Sequence, residues 1–186
     1  MAGRKQFDER NAVKEATDLF WERGYEAASL TDLEAATGLN KSSLYNAYGS
    51  KEGLYLKCLE YYFECYGGAL LVELESGDFK TSITGFFDTL IARLEDKSLP
   101  RGCLMTRTAM EMGGKPGRLA SDTLDKLRRA FQRRCEEAVE SGELEAGTDC
   151  EAKAAGLLAT SLGLTVMNQG FGDTNMLREA VRGTVV

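Results

Sequence analysis

The sequence of this 186-residue chain predicts an all-α fold of about nine helices. Apolar residues recur every three or four positions over most of the chain, which is the spacing of one helix face. Short segments that contain glycine separate these stretches, and no segment alternates polar and apolar residues as a half-buried strand does. The clearest helix is 119–140, whose apolar positions are spaced by 3, 4, 4 and 3 residues: Leu124, Leu127, Phe131, Cys135 and Ala138.

A first helix over about 7–23 is followed by two signals that frame a short second helix. Gly24 ends the first helix, and Ser29 followed three residues later by Asp32 is a variant of the capping box that starts the next one. Gly38 can end that second helix in a left-handed turn, which glycine adopts without steric cost. The sequence therefore predicts a helix between the capping box and Gly38.

A third short helix follows immediately. Asn40 is placed to cap it, and Leu44 marks its buried face. Its other face carries hydrogen-bond donors and one cation: Lys41, Ser42, Ser43, Tyr45 and Asn46. Two short helices joined by a tight glycine turn, the second with a donor-rich face, are typical of helix-turn-helix DNA readers. An ordinary corner in a helical bundle is the competing interpretation.

A long fourth helix is predicted to start after Ser50 and to continue to about residue 75. Its apolar residues cover more than one face, which indicates contacts with two structures, and Gly67-Gly68 is a candidate bend. We therefore predict a helix-turn-helix domain over 1–50 and a second helical domain over 51–186.

The second domain is predicted to contain five further helices, separated by glycine, proline and polar segments. Residues 113–117, Gly-Gly-Lys-Pro-Gly, are predicted to form a linker. The helices are predicted over about 80–94, 102–112, 119–140, 149–168 and 174–182.

The first third of the chain resembles the DNA-binding domain of the tetracycline-repressor (TetR) family of transcriptional regulators. The resemblance covers about 7–59 in a single register without a gap. It rests on Gly24-Tyr25, Ser29-Leu30, Gly38-Leu39, Leu44-Tyr45 and Ser50-Lys51-Glu52. It implies a homodimeric repressor that a small-molecule effector releases from a palindromic operator in double-stranded DNA. The domain over 51–186 would then bind the effector and form the dimer.

The third helix is the candidate for the major groove, with its N-terminal residues against base edges. Lys41 is suited to guanine and Asn46 to adenine, while Ser42 and Ser43 permit close approach. By resemblance, three hydroxyls and one lysine contact phosphates or the groove: Thr31, Tyr45, Tyr48 and Lys51. For Tyr48, packing beneath the recognition helix is an equally good interpretation.

Aromatic and methionine side chains, some of them in the fourth helix and others beyond it, are suited to a pocket between helices. The resemblance places the inducer site of the family there. For each residue by itself, packing in an ordinary core is the competing interpretation. The candidates for the effector site are Tyr62, Phe63, Tyr66, Phe86, Phe87, Cys103, Met110, Phe131 and Met167.

The last two predicted helices carry small residues and leucines that allow close helix packing. The resemblance implies that they pair with those of a second copy in a four-helix bundle, an isologous dimer interface. A core within one chain is the alternative. The candidate interface residues are Leu158, Leu162, Leu177 and Val181.

The chain contains five cysteines without metal-ligand spacing, and it contains no histidine. The absence of histidine excludes His-based triads and His metal sites, so we expect neither an enzyme nor a metal or cofactor. Cys58 and Cys65 lie about 10 Å apart along one predicted helix, too far for a disulfide. Reduced thiols are therefore expected.

Cys103 suggests an alternative function. It opens a predicted helix and has Arg107 four residues further on, and both features favour the thiolate. Its Gly-Cys helix entry resembles that of a TetR subgroup that includes electrophile and oxidant sensors. A thiol-based sensor switched at Cys103 is the first alternative, although a free cysteine is more often a small buried residue. The second alternative is a helical small-molecule-binding or interaction protein that does not bind DNA.

The net charge of −6 is unusual for a DNA-binding protein, but the acid is unevenly distributed. Residues 1–57 contain 8 Lys and Arg against 9 Asp and Glu, whereas residues 58–186 contain 15 against 20. A basic arm, Arg4-Lys5, precedes the first helix. No apolar run approaches the roughly 20 residues that span a bilayer, and no signal peptide is evident, so we expect a cytoplasmic protein without membrane contact.

Overall fold

The computed structural model describes residues 9–75 and 77–185, with side chains to residue 183, and these residues form nine helices and no strand. The arm Arg4-Lys5 and the predicted start of the first helix lie outside the described residues. We number the helices α1 Glu9–Arg23, α2 Leu30–Thr37, α3 Lys41–Tyr48, α4 from Lys51 to Glu73, α5 Phe79–Glu95, α6 Leu104–Glu111, α7 Gly114–Glu140, α8 Cys150–Gly170 and α9 Thr174–Val185. The all-α prediction is confirmed.

Helix α4 is irregular where the sequence predicts a bend. It begins as the α-helix Lys51–Tyr62, passes through a π-helical turn at Phe63–Gly67 and continues as the α-helix Gly68–Glu73. A π-helical turn inserts an extra residue into the helix. The irregularity ends at the Gly67-Gly68 pair.

The chain divides into two compact units, Met1–Glu64 and Cys65–Val186. The boundary predicted from the sequence lies at residue 50 instead. The difference arises because the first segment of α4 packs on α1: Leu54, Tyr55, Cys58 and Leu59 are all buried. The first segment of α4 therefore adds a fourth helix to α1, α2 and α3. A unit of about 50 residues needs this additional helix to bury an adequate core.

Aromatic rings dominate the core of the N-terminal unit. Phe20 of α1 meets Tyr55 of α4 edge to face, with ring centroids 4.8 Å apart. Trp21 and Tyr62 form a second edge-to-face pair, also at 4.8 Å. Such pairs are favourable beyond the area they bury, because the positive ring edge meets the negative face.

Helices α5, α7, α8 and α9 surround the core of the C-terminal unit. At its centre lie three phenylalanines without solvent exposure: Phe86, Phe87 and Phe131. The centroid of the Phe86 ring lies 4.7 Å from that of Phe131 and 5.2 Å from that of Phe87.

The predicted linker over 113–117 is wrong, because α7 already begins at Gly114. Pro116 lies in the first turn of the helix, where its missing N–H leaves no hydrogen bond unmade. A Cβ atom on Gly117 would lie 2.0 Å from the Met112 carbonyl oxygen. Glycine thus allows the start of α7 to fold back closely on the chain that precedes it.

The expectation of reduced thiols is wrong for one pair, since Cys135 and Cys150 form a disulfide. Helices α7 and α8 pack side by side and are joined by a short connection, which brings the two Cα atoms to 5.5 Å. Spacing along one helix excludes only the Cys58–Cys65 pair, and it does not constrain cysteines on neighbouring helices. Cys58, Cys65 and Cys103 are free.

Candidate DNA-binding surface and C-terminal groove

Reciprocal hydrogen bonds fix the first turn of α2. The Ser29 hydroxyl accepts from the Asp32 N–H at 3.1 Å, and the Asp32 carboxylate accepts from the Ser29 N–H at 3.0 Å. At the other end Gly38 has φ 68°, and its N–H donates to the Glu34 carbonyl. The predicted capping box and glycine turn are therefore both present.

Helix α3 is capped as the sequence predicts. The Asn40 side chain accepts from the Ser43 N–H at 2.8 Å, and Leu44 is buried. Lys41, Ser42, Tyr45 and Asn46 are exposed, and Ser43 is half-buried. One face of a rigidly capped helix therefore presents an ammonium, hydroxyls and an amide to solvent.

Two lysines beside this face lie over aromatic rings. The Lys41 ammonium is 5.9 Å from the centroid of the Tyr45 ring, and the Lys51 ammonium is 4.5 Å from that of Tyr25. A cation over a ring is attracted by the negative face of the ring. The rings of Tyr45 and Tyr25 therefore help to position both charges near α3. Thr31, at the start of α2, is exposed.

Tyr48 is positioned differently from the other predicted DNA contacts. Its hydroxyl oxygen is buried and has no hydrogen-bond partner among the described residues. This burial, with the nearby charge of Glu9, raises the pKa of Tyr48 to about 12. The structure therefore favours the packing interpretation for Tyr48, because its hydroxyl does not reach solvent from this position.

A groove of about 550 Å³ lies in the C-terminal unit between the end of α4 and α7. Leu71, Leu74 and Ala130 form its apolar part, and several charged residues of α7 line it. None of the residues that line this groove is among the site residues predicted from the sequence. The sequence feature that could have indicated this groove is the series of cations on the amphipathic helix α7. Such a series is also typical of an ordinary solvent-exposed helix face.

Two family models match the chain. "Bacterial regulatory proteins, tetR family" matches residues 12–58, and "Tetracyclin repressor-like, C-terminal domain" matches residues 81–184. The chain belongs to the TetR family.

Individual transcriptional regulators are similar to this chain over 70% to 97% of its length. An uncharacterised HTH-type transcriptional regulator of Bacillus subtilis, YezE, is 31% identical over 97% of this chain and 96% of its own. The HTH-type transcriptional repressor ComR of Escherichia coli is 33% identical over 70% of this chain and 62% of its own. A solved structure of a cysteine mutant of the TetR-family regulator CifR, in complex with 26-base-pair operator DNA, has a TM-score of 0.88 at 29% identity and 97% coverage of both chains.

The residues predicted for the effector site are spread over the molecule. Tyr62 and Phe63 belong to the N-terminal unit and the other seven to the C-terminal unit. Phe86, Phe87 and Phe131 fill the core, and Met167 packs against it. Met110 is 76% exposed and therefore does not line the interior in this conformation. Tyr66 and Cys103 are half-buried, and none of these nine residues lines the groove.

The four predicted dimer residues fall into two groups. Leu177 has no exposed surface and Val181 packs on the core of its own chain, so both contribute to the protomer. Leu158 and Leu162 are half-buried on α8. The exposed positions of that helix include Glu151, Lys153 and Gln169 together with small residues and one valine: Ala152, Ala155, Gly156, Ala159, Val166 and Gly170.

The thiol-sensor alternative invokes Arg107, which forms an ion pair with Glu111. Its Nε atom donates to both carboxylate oxygens of Glu111, at 3.0 and 3.1 Å. The comparisons with known proteins favour the DNA-binding regulator over this alternative.

Proposed function

We propose that this chain acts as a homodimeric repressor that binds a palindromic operator through α3 and is released by a small-molecule effector. The observation that carries the proposal is the donor-rich face of α3, exposed and held by caps at both ends. The helix is short, so one copy reads only a few base pairs, and two copies supply two half-sites about 34–36 Å apart.

The residues proposed to contact DNA act in two ways. Lys41 and Asn46 read base edges, supported by Ser42 and Ser43, while Tyr45 joins Thr31 and Lys51 in contacts with the backbone. The role requires binding only, with no catalytic step. It also places the protein in the cytoplasm, where bacterial DNA lies. Among the described residues, no helix is both long and apolar enough to cross a bilayer.

The proposal is tested by selecting genomic fragments with the purified protein and titrating the recovered operator in rising salt. Specific retardation should weaken steeply, because bound phosphates release counterions. Absence of sequence-specific retardation at low salt by a folded dimer would contradict the proposal.

The variant Lys41→Ala/Asn46→Ala tests the assigned helix. Each good bidentate base contact discriminates by about 1–3 kcal/mol, so operator affinity should fall at least tenfold. Lys57→Ala is the matched control, since Lys57 is exposed on α4 and paired with Glu60 at 2.9 Å. It should bind the operator like the wild type. Equal loss in both variants would indicate a general charge effect and refute base reading by α3.

A further inference from the structure

We propose that the groove between the end of α4 and α7 binds a small amphipathic anion and that such an anion is the effector. The inference rests on the proposed regulatory function, and it adds a location and a chemical class to the effector. The groove has a volume of about 550 Å³, which is within the usual range for small-molecule sites.

One side of the groove is apolar. Leu74 and Ala130 are only 5% and 6% exposed, and both belong to the core of the C-terminal unit. Leu71 packs against the same core from the preceding turn of α4. An aliphatic or aromatic body of a ligand would lose water against this surface at about 25 cal/mol per Å² buried.

The α7 side of the groove is cationic. Lys126, Arg129 and Arg133 succeed one another at intervals of three and four residues, so they form one stripe about 10 Å long. Arg129 donates to Asp125 at 2.8 Å. Lys126 and Arg133 have no hydrogen-bond or ion-pair partner among the residues that the structure describes. Two side chains that can bind an anion therefore flank the apolar surface.

The remaining charges of the groove do not cancel this stripe. Arg134 is buried and donates to Ser82 and to the Gly77 carbonyl, at 3.1 and 2.9 Å. It also pairs with Glu143 at 3.4 Å and with Glu137 of the groove at 3.8 Å. Among the described residues that line the groove, four cations (Lys126, Arg129, Arg133 and Arg134) stand against two carboxylates, Glu75 and Glu137. The lining therefore carries an excess of positive charge, which favours an anion over a neutral or cationic ligand.

The position of the groove allows a bound ligand to influence DNA binding through α4. Leu71 lies in the last turn of α4, and Leu74 directly follows that helix. The first residue of α4, Lys51, follows the recognition helix α3 after two residues. A ligand shifts an equilibrium only by its differential affinity for two states. An anion that fixes the end of α4 against α7 would stabilise one conformation of α4.

The test is equilibrium dialysis of the full-length protein with three probes of equal chain length: decanoate, decanol and decyltrimethylammonium. Decanoate should bind at least tenfold more tightly than the other two, and its affinity should fall as salt rises. If decanol binds as tightly as decanoate, the proposed anion site is refuted.

The variant Lys126→Ala/Arg133→Ala should bind decanoate at least tenfold more weakly while keeping the wild-type thermal midpoint. The matched control is Lys115→Ala/Arg118→Ala, which removes two exposed cations from the same helix outside the groove. It should bind decanoate like the wild type. Equal decanoate affinity in the two double variants would overturn the assignment of the groove.

Operator retardation in the same preparations separates the two proposals. Decanoate should release operator from the wild type and the control at a lower concentration than from the groove variant. Unchanged decanoate affinity in the groove variant, with operator binding intact, refutes the groove alone. Decanoate binding by wild-type protein that does not retard any operator refutes the regulatory function alone.

Discussion

Ser29 and Asp32 determine where α2 begins, and each supplies a group that the other needs. The hydroxyl and the carboxylate satisfy two backbone N–H groups that a helix start leaves without partners. Asp32 also pairs with Arg23 of α1 at 2.9 Å. Signals of this kind, like Asn40 and Gly38, were predictable because they act within four residues of the chain.

The pH dependence of stability should depend partly on Asp32. Its pKa lies below the ordinary value, chiefly because the Ser29 hydroxyl donates to the carboxylate. A carboxylic acid whose pKa is lowered by folding stabilises the folded state above its unfolded pKa, which is 3.8 for Asp32. This contribution to stability is lost as the pH falls through the folded pKa. Asp32→Asn should therefore flatten the fall in stability below about pH 4.

The measurement is the urea midpoint as a function of pH, followed by the fluorescence of Trp21, the single tryptophan, which is buried in the N-terminal unit. Parallel pH curves for the wild type and Asp32→Asn would contradict the prediction.

At the scale of helices, the start of α4 packs closely on the end of α3. A Cβ atom on Gly53 would lie 2.0 Å from the Tyr48 carbonyl oxygen, a backbone atom that cannot rotate away. Gly53→Ala should thus destabilise the N-terminal unit by about 2 kcal/mol, within the range for overpacked sites. It should also weaken operator binding by displacing α3.

Gly68→Ala is the control in the same helix, because a Cβ atom there has no neighbour within 4 Å. Alanine is favoured over glycine in a helix by up to about 1 kcal/mol, so this variant should be neutral or slightly stabilised. Thermal unfolding followed by Trp21 fluorescence compares the two. Similar midpoints would show that α4 can move away from Tyr48 without cost.

The disulfide links α7 to α8 across 15 residues of sequence. A loop of that length lowers the entropy of the unfolded chain enough to stabilise the fold by about 3 kcal/mol. Dithiothreitol should lower the thermal midpoint of the oxidised wild type in calorimetry. Cys135→Ser/Cys150→Ser should unfold near the reduced midpoint and show no response to the reductant. A response of similar size in that variant would assign the effect to another site.

At the scale of the whole molecule, two copies are needed for two half-sites. The exposed face of α8 has small side chains that allow a second helix to approach closely, and Val166 is 53% exposed within it. Ala159→Arg places a charged side chain on this face and should shift sedimentation from dimer to monomer. Ala92→Arg, on an exposed position of α5, is the control and should remain dimeric. A dimeric Ala159→Arg variant would exclude this face as the interface.

The sequence by itself determined the all-α fold, the helix-turn-helix and the polar face of α3. Caps, glycine turns and the periodicity of apolar residues act over a few residues, so their consequences can be predicted along the chain. Tertiary structure alone decided which distant residues meet. It joined Cys135 to Cys150 and buried Leu177 within the protomer. It also placed Phe86 and Phe131 in the core, and it placed the cations of α7 beside Leu71 and Leu74 at the end of α4. Those outcomes depend on how whole helices pack, and an apolar or charged residue type is compatible with several such arrangements.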